Sequence, residues 1–291
     1  MSGRAGRLAL ALAAAAAVPL AAQGPAGTDI WVAPLTLSPA AVALGAPANV
    51  TRRPGYDNQP AFLPDGRTLV YASYRDGQSD IWRVDLATGA ASALTATPES
   101  EYSPTPIPGE DEISVVRVER DSTQRLWAFP LRGGAPVLLF PALRPVGYHA
   151  WLSATQAALF ILGEPPTLQL ADLATGTARE ADRAIGRTLL ALPHRRDLLY
   201  ARRDSTGFVV MALDPATRAR RRVAALPAGD FFAAAGGWLL AADGTRLLAR
   251  RDDGTGDWGV VADLAALGVG PVTRLAVSPA GDRLALVAGE H

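Results

Sequence analysis

The chain has 291 residues, 49% of them hydrophobic, and its 28 basic and 28 acidic side chains leave no formal net charge. Zero net charge provides no overall field to draw in nucleic acid or an anionic membrane surface. Cysteine is absent, which rules out disulfides, thiolate nucleophiles and cysteine-bound zinc.

The first element is N-terminal. Arg4 and Arg7 precede an apolar run of 15 residues, Leu8 to Ala22, and polar Gln23 follows. This is the order of a secretory signal peptide, and a membrane span needs about 20 apolar residues. Residues 1–22 are therefore expected to be a signal and 23–291 a single exported domain, periplasmic or secreted, with no membrane span once the signal is removed.

Beyond the signal, Asp29-Ile30-Trp31-Val32 reads as a strand with no partner before it. The best-formed stretch follows, from Tyr56 to Leu94. Strands are expected at Gln59 to Leu63, Thr68 to Ser73, Asp80 to Asp85 and Ala91 to Leu94. They are separated by Pro64-Asp65-Gly66, Arg75-Asp76-Gly77 and Ala87-Thr88-Gly89. Short β-branched or aromatic runs between Gly, Pro and Asp clusters mark antiparallel strands and their turns.

The third turn repeats. Asp85-Leu86-Ala87-Thr88-Gly89 returns unchanged as Asp172-Leu173-Ala174-Thr175-Gly176. Looser copies start at Pro130, Asp214 and Asp252, so the spacings are 45, 42, 42 and 38 residues. Four strands in a period near 40 to 45 residues define a β-propeller blade. Complete blades are expected at about 56–98, 101–143, 148–182, 186–226 and 229–268. Residues 271–289 supply two strands of a sixth blade and 29–54 the other two, with Pro47 to Thr51 outermost. Pairing these halves closes the ring and removes two open sheet edges. The fold class is thus all-β, a six-bladed propeller of four-stranded blades. Trp31, Trp82 and Trp127 fall on third strands and are expected to be core. The basic run Arg218 and Arg220 to Arg222 is expected on an outer, solvated strand.

The stretch from Tyr56 to Gly89 resembles the WD40-like repeat of TolB-type propellers. The matching residues are Asp57-Asn58 with Pro60, Leu63-Pro64-Asp65-Gly66, Ala72-Ser73 with Arg75-Asp76-Gly77, Asp80-Ile81-Trp82 and Ala87-Thr88-Gly89. The unit at 101–140 matches in part, and those from 148 to 268 match only in period and turns. The resemblance implies a six-bladed propeller, exported to the periplasm or beyond, that presents loops to protein partners. The family's namesake carries an α/β domain before its propeller. Here few residues separate the signal from Asp29, so a role in the Tol system is not expected. Related propellers cap hydrolases bearing the nucleophile elbow G-x-S-x-G, and that pentapeptide is missing.

Catalytic signals are few. His149, His194 and His291 form no spaced ligand set. Asp252-Asp253-Gly254-Thr255-Gly256-Asp257 lacks the full calcium-loop pattern and reads as a hairpin turn. No cofactor and no metal site are expected. Propeller geometry nominates a binding face instead, because the loops into each first strand and those joining strands two and three share one face. They hold Tyr56, Asp57 and Asn58; Tyr74, Arg75 and Asp76; Glu101 and Tyr102; and Tyr148 and His149. Tyrosine and arginine are typical interface anchors, although tyrosines here serve equally to cover blade seams. The expected function is a monomeric, non-enzymatic scaffold that binds an envelope or secreted protein, or a ligand. The alternative is an enzyme with its site in the channel, a metal-dependent lactonase or a lyase.

Overall fold

The computed structural model describes residues 24–192 and 195–290. The signal expectation for 1–22, and His194 and His291, lie outside the described residues.

The described chain forms six antiparallel sheets in sequence order. Blade 1 runs from its innermost strand Asp57–Phe62 through Thr68–Arg75 and Gln78–Asp85 to Ala91–Ala93. Blades 2, 3, 4 and 5 begin with innermost strands Ser100–Pro106, Val146–Trp151, Ile185–Ala191 and Phe232–Ala235. Each continues outward through three more strands, and one 3-10 turn, Ala265–Leu267, joins blade 5 to blade 6. The sixth blade begins with Val272–Val277 and Arg283–Gly289, and the N-terminal strand Thr28–Leu37 pairs antiparallel with the latter. The ring is closed by its two ends, as the repeated Asp-Ile-Trp strand predicts.

Three local details differ from expectation. The loop after the second strand of blade 1 is only Asp76-Gly77, with φ of 51° and 92°. Two positive-φ residues make the tight hairpin that matches strand twist, so pairing continues to Arg75↔Gln78. The innermost strand starts earlier than Gln59, at Asp57. The outermost strand of the closing blade is split: Ala48–Asn49 pairs with Trp31 and Val32, and Val42–Leu44 pairs with Leu35 to Leu37. Gly45, Ala46 and Pro47 interrupt it, where proline has no amide to donate.

The turn motif has a plain cause. Asp85 Oδ1 accepts from the amides of Ala87 and Thr88, both at 2.9 Å. Asp172 repeats this with Ala174 and Thr175, and Asp214 with Ala216 and Thr217. The side chain satisfies turn amides that pairing leaves bare.

Cores lie between blades rather than at the ring's centre. Ile30 of the closing blade packs with Phe62, Leu69 and Tyr71 of blade 1, and Ala150, Phe160 and Leu168 of blade 3 pack with Leu198 and Tyr200 of blade 4. Trp31, Trp82 and Trp127 are half-buried at the edges of such seams. The basic run falls on the outermost strand of blade 4, Arg220–Ala225, with Arg220 to Arg222 exposed.

Candidate functional site

Propeller geometry brings the first residues of six innermost strands together around one mouth of the channel. In blades 1 and 2 these strands carry the same irregularity: Gln59 (φ 57°) and Ser103 (φ 52°), each followed by proline, shift the register of pairing. The Ser103 amide donates to Gln59 Oε1 at 2.7 Å, tying the two blades. Blades 3 and 6 share a different bulge, Val146-Gly147-Tyr148 and Val272-Thr273-Arg274. A bulge re-aims the side chain next to it.

Blades 3 and 6 stand opposite each other in a six-membered ring. Tyr148 and Arg274, the residues after those bulges, meet across the channel with Arg274 Nη2 donating to the Tyr148 hydroxyl at 3.0 Å. The Arg274 guanidinium also lies 5.2 Å from the centre of the Tyr148 ring and 4.1 Å from that of Phe231. Arg187 approaches the same Phe231 ring at 4.3 Å. Tyr56 stands nearby, its phenol pushed up to about 12 by burial, against which Arg274 acts. Blades 1, 3, 4, 5 and 6 thus build one cationic and aromatic floor. Cations over aromatic faces are held by the ring quadrupole.

The charges around this floor are unequally committed. Asp230 is 3% exposed and receives Arg187 through Nη2 at 2.7 Å, Nε at 3.0 Å and the backbone amide at 2.7 Å. Burial works to raise its carboxyl, but Arg187 outweighs burial and holds it below the usual range. Gly186 makes the approach feasible, since a Cβ there would stand 2.7 Å from Asp230 Cβ. Arg274, by contrast, has no carboxylate in ion-pair contact among the described residues.

The residues expected at a contact face separate into two groups. Tyr56, Tyr74, Arg75, Tyr102 and Tyr148 are half-buried and Asp76 is exposed. Asp57, Asn58, Glu101 and His149 are buried and engaged within the molecule. Asp57 receives Arg53 at 3.1 Å, and burial raises its carboxyl above the ordinary value. Asn58 donates to Thr28 Oγ1 at 3.3 Å, linking blade 1 to the closing strand. Glu101 is fully buried, accepts from Thr95 Oγ1 at 3.0 Å and from Thr97 Oγ1, and lies 3.6 Å from Arg117 Nε. Burial pushes it up to about 7. His149 Nε2 lies 2.6 Å from Ser114 Oγ, which also accepts from Trp151 Nε1 at 2.7 Å. Burial drives the imidazole down to about 3, so it stays neutral. The Arg75 guanidinium lies over the Trp82 ring, 3.3 Å from its centre.

The structure therefore keeps Tyr56 and Tyr148 at the mouth. It adds Arg187, Phe231 and Arg274, which sequence reading missed. Their shared signal is phase: Arg187 and Arg274 are the third residues of innermost strands, and Phe231 immediately precedes one. Among the described residues no three His, Cys, Asp or Glu side chains gather as metal ligands. In the acidic loop, Asp252 pairs with Arg195 at 2.7 Å and Asp253 caps its own Thr255 amide at 2.8 Å.

Comparison with known proteins gives one consistent fold. No family model matches the sequence. An uncharacterized protein of Agrobacterium fabrum, Atu1656, is 30% identical over 77 residues, 26% of this chain and 26% of its own length. The chain thus matches about a quarter of that relative. A solved structure from Agrobacterium tumefaciens, given provisionally as TolB, superposes with a TM-score of 0.72 at 15% identity, covering 92% of this chain and all of the other. TolB from Acinetobacter baumannii gives 0.60 at 15%, covering 91% of this chain and 65% of TolB. The fold is a TolB-like six-bladed propeller. An oligogalacturonate lyase in complex with manganese shares the TolB-like ring more distantly, at 0.52 and 13%, over 92% of this chain and 99% of the lyase. Among the described residues no helix is long and apolar enough to cross a membrane.

Proposed function

We propose that this chain is an exported, non-enzymatic scaffold of the cell envelope whose channel-mouth face binds a partner protein. The observation that carries this reading is Arg274. It is half-buried between Tyr148 and Phe231, bridges opposite blades, and has no carboxylate of its own among the described residues. A guanidinium set among aromatic rings is a preorganised hot spot, and the group it lacks is an acid. The partner segment it fits is acidic, reaching down to the floor while Tyr56, Tyr102 and Tyr74 border it. The signal-like run of residues 8–22 and the likeness to TolB propellers support an envelope location.

A channel enzyme is the less favoured reading. The mouth offers arginines and phenols, while the carboxylates and imidazole close to it are tied to Arg53, Arg187, Ser114 or threonine hydroxyls. General acid–base work needs a group free to exchange a proton with substrate. The test is capture of partners from the native envelope fraction with the mature protein, compared with Arg274→Gln and Tyr148→Ala. A partner retained by wild type and lost by both variants, at unchanged melting temperature, supports the proposal. Equal capture by all three overturns it.

A further inference from the structure

A second site lies at the outer part of the closing seam, away from the channel. It emerges from comparing three tryptophans at one repeat position. Trp82, Trp127 and Trp31 occupy the same register of their third strands, facing Tyr71, Val115 and Leu286 on the second. In blade 1 the ring is covered by Arg75 at 3.3 Å, and in blade 2 by Arg117 at 4.8 Å. The corresponding end of the second strand in blade 6 is Ala288-Gly289-Glu290, which offers no cation. Among the described residues no guanidinium lies over Trp31, and its indole N–H donates to none of them, unlike that of Trp127, which donates to Glu119.

What lies there instead is an open surface pocket of about 400 Å³, lined by Trp31 with Asp29, Asn49, Arg52, Arg53 and Glu290. That size falls within the range of about 300–1,000 Å³ usual for small-molecule sites. The outer-strand neighbour of the ring is decisive. Where blades 1 and 2 place Ala93 and Leu138 beside their tryptophans, the closing blade places Asn49. The rim groups are oriented by bonds that leave other atoms unused. Asn49 Oδ1 accepts the amides of Thr51 and Arg52 at 3.1 and 2.9 Å, so its Nδ2 remains for a ligand. Asp29 Oδ1 accepts from Thr51 Oγ1 at 3.1 Å, and Glu290 Oε1 accepts the Gly55 amide at 2.6 Å, leaving one oxygen on each carboxylate. Arg52 Nε donates to the Asn49 carbonyl at 2.8 Å, leaving its terminal nitrogens.

We infer that this cavity is a saccharide site, taking a neutral hexose or N-acetylhexosamine unit against the Trp31 ring. A pyranose presents an apolar C–H face that suits an indole. Around its rim it presents hydroxyls that donate to carboxylates and accept from amide and guanidinium groups. Arg53 is committed to Asp57 and the Tyr74 carbonyl, so the rim groups left for a ligand are the carboxylates of Asp29 and Glu290, the Asn49 amide and the Arg52 guanidinium, a mixed set of acceptors and donors that suits hydroxyls. This site is independent of the channel mouth, and each stands or falls alone.

The experiment titrates the mature protein with cellobiose, maltose and N,N′-diacetylchitobiose, by calorimetry and saturation-transfer NMR. At least one disaccharide is expected to bind. Trp31→Ala and, on the exposed rim, Arg52→Ala should each weaken binding about tenfold or more. Trp127→Phe, whose ring is already covered, should leave affinity unchanged. Arg52→Ala leaves the seam's apolar contacts intact and keeps the test valid if Trp31→Ala fails to fold. The inference is overturned if none of the three sugars binds, if binding survives both variants, or if tetra-arginine binds at this cavity instead.

Discussion

Glu101 gives the sharpest physical test of this fold. It is fully buried in the seam between blades 1 and 2, among Thr95, Thr97, Arg117 and Asp80. Burial lifts its carboxyl from 4.5 to about 7. The folded state therefore keeps a proton that the unfolded chain releases. The stability this confers is complete below pH 4.5 and is lost as pH rises towards 7. A shift of that size corresponds to about 3 kcal/mol as an upper bound. His149 acts in the opposite sense. Its folded value is depressed to about 3, so its contribution is present above pH 6.5 and fades as pH falls. The two slopes oppose each other between pH 4.5 and 6.5, and the wild-type profile alone hides both. The difference between wild type and Glu101→Gln isolates the first. The amide removes the ionisation at nearly constant shape, so the variant should be about 1–3 kcal/mol more stable at pH 7.5 and close to wild type at pH 4.5. At roughly 2–4 °C per kcal/mol, that is several degrees of melting temperature. Thermal and urea unfolding from pH 4.5 to 8 reads the difference directly. A difference independent of pH, or a Gln variant less stable at pH 7.5, refutes the reasoning and makes Glu101–Arg117 a stabilising charged pair.

Two further outcomes follow from local geometry. Arg218 occupies the left-handed turn position (φ 63°) that Gly89 and Gly176 hold in the matching turns, so Arg218→Gly should stabilise by about 0.5–1 kcal/mol in urea unfolding. Ile30 is fully buried in the closing seam. Ile30→Ala should cost about 2–5 kcal/mol, whereas Thr36→Ala on the exposed side of the same strand should stay within about 0.5 kcal/mol.

The ring was legible in the sequence because its repeated elements are local. The aspartate caps the backbone amides two and three places on, and in the turns at 85 and 214 the threonine hydroxyl accepts the amide two residues beyond it, so the Asp and Thr of the motif recur visibly at 85, 172 and 214. The closing strand was legible because Asp29-Ile30-Trp31 meets the same demands as Asp80-Ile81-Trp82. Side-chain aim at the mouth was not. Asp57 and Glu101 look like loop residues in sequence, yet pairing with Ser73 and Arg117 places them inside the seam. The contact that defines the floor joins Tyr148 to Arg274, 126 residues apart, and it depends on two bulges that no residue pattern announces.

Those bulges also account for why the floor forms between this pair of blades. By register, the position that holds Asp57 in blade 1 and Glu101 in blade 2 holds Val272 in blade 6, with Val146 before the matching bulge of blade 3. In blade 1 the carboxyl group binds Arg53, and in blade 2 it is held by Thr95 and Thr97 while Arg117 pairs with Glu99; both anchor the seam. In blades 3 and 6 the valine anchors by packing and consumes no charge, and the inserted residue turns the next side chain inward. Between blades 4 and 5 the acid returns as Asp230 and binds Arg187. Arg274 is consequently the mouth arginine that no seam acid has claimed among the described residues. The same substitution of an acid by an apolar anchor, in blades on opposite sides, accompanies a contact that spans the channel and leaves its guanidinium without an acid among the described residues. Such a mouth fits the proposed role of holding a partner against it.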